Sequence, residues 1–302
     1  MKIVIALGGN ALIRRGGPTD LAEQQRNVAV AAKAIAAVAR GNQVVVTHGN
    51  GPQVGLLALL DASAPESQRS TLDVLGAETE GLIGYLLERE LMNALGHPRV
   101  ATLLTQVEVD PADAAFEQPT KFIGPVYDET EARHMAGARG WQFASDGNRW
   151  RRVVPSPEPL RILECEAIEQ LVQAGFVTIC AGGGGVPVIR TANDRLAGVE
   201  CVVDKDRSSA LLAQGLHADV LMMLTDVDAV YLNWGRDDAT PLRTLRLGEL
   251  KRLSFAAGSM GPKVDAARRF AATAGKRAYI GSLDKVQEIL AGSSGTLIME
   301  TV

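Results

Sequence analysis

Histidine and cysteine are scarce in this chain, and neither forms a motif. The four histidines (His48, His97, His134, His217) show no HExxH or paired spacing, which argues against a histidine-built metal centre. The three cysteines (Cys165, Cys180, Cys201) are odd in number, lack a CxxC pair and sit among apolar residues. Reduced, buried thiols are expected, not a disulfide framework. No apolar run approaches membrane-spanning length. Met1 leads directly into an apolar strand without a cleavable leader, so a cytoplasmic protein is expected. Excess positive charge is missing as well: the net charge is −4, which gives no electrostatic case for nucleic acid or acidic membranes as partners.

Two familiar nucleotide motifs are also lacking. The only Gly-Lys pair, Gly275-Lys276, is followed by Arg277, whereas a P-loop needs Ser or Thr there to reach Mg²⁺. Gly49-Asn50-Gly51 opens like a dinucleotide fingerprint, but Val54 stands where the third glycine belongs and no strand ending in an acid follows. What remains is an ordinary globular composition, 46% hydrophobic and 22% charged over 302 residues. That is enough for one large α/β domain or two lobes.

Strand and helix patterns alternate from the start. An apolar strand from Lys2 to Leu7 runs into Gly8-Gly9-Asn10, and a second, Gln43 to Thr47, runs into His48-Gly49-Asn50-Gly51. Between them an alanine-rich helix opens at Asp20 with Glu23 three residues on, a capping-box spacing, and stops at Gly41. A helix from about Thr71 to Leu95 and a strand Arg99–Leu104 follow. From about 110 to 159 the periodicity fails, and prolines at 111, 119, 125, 155, 157 and 159 punctuate the segment. Fifty residues without pattern suggest an inserted lid subdomain in place of a loop. The alternation then resumes: helix 164–174, strand 177–181 into Gly182-Gly183-Gly184-Gly185, strand 198–203 into Asp204-Lys205-Asp206, helix to Leu216, and strand 220–224 stopped by Thr225-Asp226. A helix from about Pro262 to Thr273, a strand 277–280, a helix 283–290 and a strand 296–300 close the chain. Repeated βα units predict a three-layer sandwich, a mostly parallel sheet between helices, with ligands at the carboxyl ends of the strands.

Three glycine turns after three strands therefore belong at one sheet edge. Glycine there lets backbone N–H groups approach an anion at a helix start. Lysines supply the positive charge: Lys205 between two acids, Lys263 in a first helical turn where the helix dipole disfavours it, and Lys121 alone in the irregular insert. Asp206 is placed to position ammonium groups without touching substrate. Thr225-Asp226 suits a nucleotide or Mg²⁺ contact but is also an ordinary turn pair, and His48 is read as a hydrogen-bonded structural residue.

These features resemble the carbamate kinase family, within the amino-acid kinases. The match is carried by Ala6-Leu7-Gly8-Gly9-Asn10-Ala11, His48-Gly49-Asn50-Gly51-Pro52-Gln53, Gln118-Pro119-Thr120-Lys121-Phe122-Ile123-Gly124-Pro125, Arg152-Val153-Val154-Pro155-Ser156-Pro157, Gly182 through Val188, Val203-Asp204-Lys205-Asp206 and Gly258-Ser259-Met260-Gly261-Pro262-Lys263. They occur in family order along essentially the whole chain. The Lys121 segment looks like the small protruding subdomain peculiar to that family, and Ala6 stands where other amino-acid kinases carry lysine.

The resemblance implies a homodimer and the reaction ATP + carbamate ⇌ ADP + carbamoyl phosphate with Mg²⁺. It implies that an N-terminal lobe (1–175, including the lid at about 110–159) holds the carbamate end through Gly8, Gly9, Asn10, Gly49, Asn50 and Gly51. A C-terminal lobe (176–302) would hold the nucleotide, with Gly183 and Gly184 on phosphate and Thr225, Asp226 and Lys263 on the nucleotide. By motif, Lys121, Lys205 and Lys263 bind phosphoryl groups and Asp206 orients lysines. No residue set is assignable to a metal. The chemistry is consistent with this inventory: carbamate is already an anion, so the attacking oxygen needs no general base, only positioning and charge neutralisation. The competing readings are another acyl-phosphate-forming kinase, acting on acetylglutamate for example, a non-catalytic nucleotide sensor, and an NAD(P)-binding oxidoreductase.

Overall fold

The computed structural model describes residues 1–9, 21–250, 252–255 and 260–300. Expectations placed on Asn10, Ala11, the Asp20 cap and the Gly258-Ser259 run lie outside them. The central sheet has eight strands in the order Thr244–Arg246, Thr296–Met299, Arg277–Ser282, Val220–Thr225, Lys2–Leu7, Gln43–His48, Val177–Ile179 and Val100–Thr102. Every ladder is parallel except that between Arg277–Ser282 and Thr296–Met299.

Because side chains alternate across a strand, Lys2–Leu7 feeds two cores at once. Ile3, Ile5 and Leu7 pack with Val28 and Ile35 of helix Leu21–Ala39 and with Ile83 and Leu87 of helix Leu72–Leu95. Val4 and Ala6 pack on the other face with Ile168, Leu212 and Phe270, from helices Cys165–Gln173, Lys205–Gly215 and Met260–Ala271. Burial on both faces is why these strands read as continuous apolar runs. The result is the expected three-layer sandwich.

Two expectations are corrected. The segment read as irregular between 110 and 159 is largely regular. Lys121–Tyr127, Gln142–Asp146 and Arg149–Val154 form an antiparallel sheet, and helix Glu129–Arg139 connects its first two members in sequence, opened by an Asp128/Glu131 capping box. Its strands carry arginine at apolar-looking positions and its helix buries only Ala132, so hydrophobic periodicity had little to report. The strands beside it, Gln106–Val109 and Pro159–Ile162, join Val186–Arg190 and Leu196–Gly198 in a separate four-stranded sheet. The strand expected at 198–203 ends at Gly198. Beyond it Cys201 and Val203 are buried in alternation, but their backbone runs as a loop, with Val202 N–H donating to Pro155 O at 3.1 Å and Cys201 N–H to Val199 O at 2.8 Å. Alternating burial without a partner strand mimics a β pattern. A short hairpin, Val230–Leu232 with Thr240–Leu242, follows the Thr225-Asp226 turn.

Candidate active site

The carboxyl ends of the central parallel strands bring the three glycine turns together. Leu7 is level with His48 and with Leu224 in the ladders on either side. Here the cradle is narrower than glycine count alone suggested. Gly8 N–H donates to Leu224 O at 2.8 Å and Gly49 N–H to Leu7 O at 3.1 Å, so both extend the sheet. Gly184 N–H closes its own turn on Ala181 O at 3.1 Å. Among the described residues, no protein acceptor faces the N–H groups of Gly51 and Gln53, in the first turn of helix Gly51–Asp61, or that of Gly183. Those are the amides free to meet an anion.

The turns also meet one another. The Asn50 side chain lies against Gly183, where a Cβ would approach its amide to 2.2 Å, and donates to Thr79 Oγ1 at 2.8 Å. Gly184, at φ +103°, lies against the Val203 carbonyl, where a Cβ would come within 2.3 Å. Its own carbonyl accepts from Ser208 Oγ at 2.7 Å. The third turn is thereby locked to the start of the Lys205–Gly215 helix.

That helix start carries the charge. Asp204 caps it, accepting from Asp206 N–H and Arg207 N–H at 2.9 and 3.2 Å. Its other oxygen takes the Lys121 ammonium, which reaches across from the first lid strand. Lys205 sits in the first turn, buried, with Nζ donating to Leu7 O at 3.0 Å and 2.9 Å from Asp206 Oδ1. Lys263, in the first turn of helix Met260–Ala271, donates to Asp206 Oδ2 at 2.9 Å. One carboxylate therefore spaces two ammonium groups at the end of the central strand.

Burial alone would push the Asp206 carboxyl up, but the two lysines hold it below the usual carboxylate range. Burial lowers Lys205, with Asp206 opposing, while the Lys263 ammonium is held above its ordinary value because Asp206 outweighs its burial. Thr225 ends the neighbouring strand, its hydroxyl donating to Asp226 Oδ1 at 3.0 Å, and the Asp226 charge helps hold the Lys263 proton. Lys121, Lys205, Asp206, Lys263, Gly183 and the Thr225-Asp226 turn thus lie along one edge. No group of three His, Cys, Asp or Glu side chains suited to a metal occurs among the described residues.

Sequence reasoning missed the residues under the third turn. Glu80, only 1% exposed, accepts Gly182 N–H at 2.7 Å and Thr105 N–H at 3.3 Å, and Thr105 Oγ1 takes Ala181 N–H at 2.9 Å. Glu80 is one of several glutamates on its helix, and nothing in the sequence separates it from those facing solvent. His48 is fully buried against the same turn, with Nδ1 3.3 Å from Gly49 O. Burial lowers His48 to about 4, so it is neutral.

Burial raises Glu80 to about 8 from an ordinary 4.5. A raised acid contributes stability below its unfolded value that is lost as pH climbs to its folded one. Between pH 4.5 and 8, the wild type is expected to lose unfolding free energy relative to Glu80→Gln, at about 1.4 kcal/mol per pH unit. Urea unfolding of both at pH 5 and pH 8 checks this; a difference that does not change with pH contradicts it.

The comparisons with known proteins agree on one family. A family model described as the amino acid kinase family matches residues 1–282. A carbamate kinase from Rhizobium meliloti (strain 1021) is 50% identical over 301 residues, 99% of this chain and 93% of that one. Among solved structures, a carbamate kinase from Giardia lamblia bound to citric acid superposes with a TM-score of 0.93 at 41% identity, covering 99% of this chain and 98% of that one. The Giardia enzyme bound to AMP-PNP gives 0.89 at 41%, with the same coverage. With a family model over nearly the whole chain and half of its residues identical to a carbamate kinase along 99% of its length, the chain belongs to the amino acid kinase family and, within it, to the carbamate kinases.

Proposed function

We propose that this chain transfers a phosphoryl group between ATP and carbamate, making and consuming carbamoyl phosphate. The single observation that carries the reading is the Lys205–Asp206–Lys263 cluster at the end of the central strand, within the kinase family just named. Phosphoryl transfer calls for charge neutralisation along an in-line path and little covalent help from the protein. In this reading Lys205 and Lys263 neutralise the transferred group, and Asp206 keeps both ammonium groups protonated and spaced. Lys121 leaves Asp204 to meet the phosphate when substrate binds. The free amides of Gly51, Gln53 and Gly183 take phosphate or carboxylate oxygens, beside Gly8, Gly9 and Gly49, whose lack of side chains keeps the floor open.

The two sides of the site divide as the chain does. Residues 1–175, with the lid, supply Gly8, Gly9, Asn10, Gly49–Gly51 and Lys121 to the carbamate end. Residues 176–302 supply Gly183 and Gly184 to the phosphate and Thr225, Asp226 and Lys263 to the nucleotide. Mg²⁺ fits this site as a passenger on the nucleotide: the Asp206 carboxylate is already shared by two ammonium groups, Asp204 is taken by Lys121 and two backbone N–H groups, and such ions are commonly held by substrate phosphates with few protein ligands. When bound it would neutralise charge on the phosphate chain.

We assign the active form to a homodimer. Leu56 and Leu60 of helix Gly51–Asp61, with Val74, Leu82 and Tyr85 of the adjoining Leu72–Leu95 helix, are all exposed, Leu60 at 62% and Tyr85 at 58%, a patch of the kind that marks an interface. No described helix is long and apolar enough to cross a membrane, and a cytoplasmic location goes with that reading.

An acceptor panel tests the proposal. With Mg-ATP, the protein is expected to release ADP when given carbamate and not when given N-acetylglutamate. ADP release with acetylglutamate in preference to carbamate would assign it to the other branch of the family.

A further inference from the structure

Away from the lysine cluster, a cavity of about 160 Å³ opens at the seam between the lid and the body. The lid supplies Arg139, Trp141 and Arg152; the body supplies Asp61, Arg69 and Glu200. None of Lys121, Lys205, Asp206 or Lys263 lines it. Its floor is the far part of helix Gly51–Asp61, at Ala58 to Ala62, roughly 10–16 Å along the axis from the helix start that faces the active site.

Arg152 is the anomaly in this cavity. Its side chain is 12% exposed, and its guanidinium lies 4.0 Å over the Trp141 ring. Stacking uses the guanidinium face, and the N–H edges make no hydrogen bond; their ion pair with Glu200 is a long one. The nearest carboxylate, Glu200, is 3.8 Å away, beyond hydrogen-bond reach. Among the described residues, none accepts a hydrogen bond from those edges, and Glu200 is their ion-pair partner. Burial of this charge lowers its basicity, with Glu200 and Tyr127 offsetting only part of the effect.

The other groups around the cavity are occupied. Asp61 accepts Ser70 N–H with both oxygens, at 3.1 and 3.2 Å, and Glu200 Oε2 accepts Leu72 N–H at 2.8 Å. Arg69 Nε donates to Ala64 O at 3.0 Å, and Arg139 donates to Ala62 O. Each of these two donations uses one N–H of five, so their remaining edges add to the positive field. A largely buried guanidinium with only a long ion pair and no hydrogen bond is costly, and its planar fork matches an oxyanion bidentately.

We propose that this cavity is a binding site for a small oxyanion, of the phosphate or carboxylate class, held by the free edge of Arg152 and bordered by Arg69 and Arg139. An anion there touches lid and body at once and holds the two together. Trp141, directly beneath Arg152, gives the site an optical reporter.

The probe is inorganic phosphate, titrated into the wild-type protein at constant ionic strength with ADP and carbamoyl phosphate analogue saturating the active site. Binding is followed by calorimetry and by tryptophan emission. Saturable binding is expected, weakened at least 10-fold in Arg152→Lys, which keeps the charge and loses the fork. Arg69→Ala, an exposed substitution that leaves the lysine cluster intact, is expected to weaken binding about 5-fold with ATP formation unchanged, which keeps the test valid if Arg152 variants fold poorly. Absence of saturable binding at millimolar phosphate overturns the proposal. So does binding that active-site ligands abolish, which would place phosphate on the lysines, or binding equal in wild type and both variants.

Discussion

Replacing Lys205 with alanine lowers the turnover of ATP formation from ADP and carbamoyl phosphate by about 10²-fold or more. The ammonium is buried, donates to Leu7 O and shares Asp206 with Lys263. It therefore stands in a site where water cannot replace it, and a preorganised donor to transition-state charge is worth ~3 kcal/mol. The loss falls on kcat more than on the nucleotide KM, because the Thr225-Asp226 turn and Lys263 remain. A second effect accompanies it: Asp206 loses one of the two cations that keep its carboxyl low, so activity of the variant depends on pH in the acid range more than that of the wild type. Steady-state rates from pH 5 to 8 read both effects. Turnover within a few-fold of wild type would remove Lys205 from the mechanism.

The second large effect comes from a residue with no chemistry. Gly55, on helix Gly51–Asp61, lies so close to Gly124 of the first lid strand that a Cβ would stand 2.0 Å from both its Cα and its N. Both obstacles are backbone, and Gly124 is pinned at φ +71° within the irregular stretch between Ile123 and Val126. Gly55→Ala therefore forces the strand that begins with Lys121 away from the body. Overpacking of this kind typically costs about 1–3 kcal/mol, and the displaced lysine leaves Asp204 and the phosphate site together. Turnover is expected to fall at least ~10-fold, in line with the sensitivity of transfer reactions to misplacements near 1 Å, while calorimetric ADP affinity changes little. An unchanged kcat with an unchanged melting temperature would mean that the lid's seat does not matter to transfer.

How much of this was legible in the sequence follows from burial. Strands such as Val220–Thr225, covered on both faces, announce themselves as apolar runs, and Gly96 and Gly175 mark helix ends where the backbone turns left-handed. The lid is different. Arg149–Val154 reads Arg-Trp-Arg-Arg before its two valines, and the lid helix turns mostly charged residues to water, so a small subdomain with little core leaves almost no period to detect. Its strands are specified by partners across the chain, as Lys121 is level with Val154.

The site divides in the same way. Lys205 stood out because a lysine in the first turn of a helix, between two acids and after an apolar stretch, is locally odd. The pairing of Lys121 with Asp204, 83 residues apart, and the support of Gly182 by Glu80, 102 residues apart, leave no local trace. Nor does a glycine declare its reason. Gly8 and Gly49 use their N–H groups to extend the sheet, and Gly184 is needed for its conformation and close approach, whereas Gly51 and Gly183 keep free amides.

The central claim is that the lysines around Asp206 move a phosphoryl group between carbamate and ADP. The most direct test is ATP formed by the wild-type protein from ADP, Mg²⁺ and carbamoyl phosphate, followed continuously by a coupled enzyme, with ADP binding measured on the same preparation. Saturable ATP formation in both substrates, lost in Lys205→Ala and Lys263→Ala, is the predicted result. ADP binding without ATP above the uncatalysed background would contradict the claim and leave a nucleotide-binding protein with the fold of a kinase.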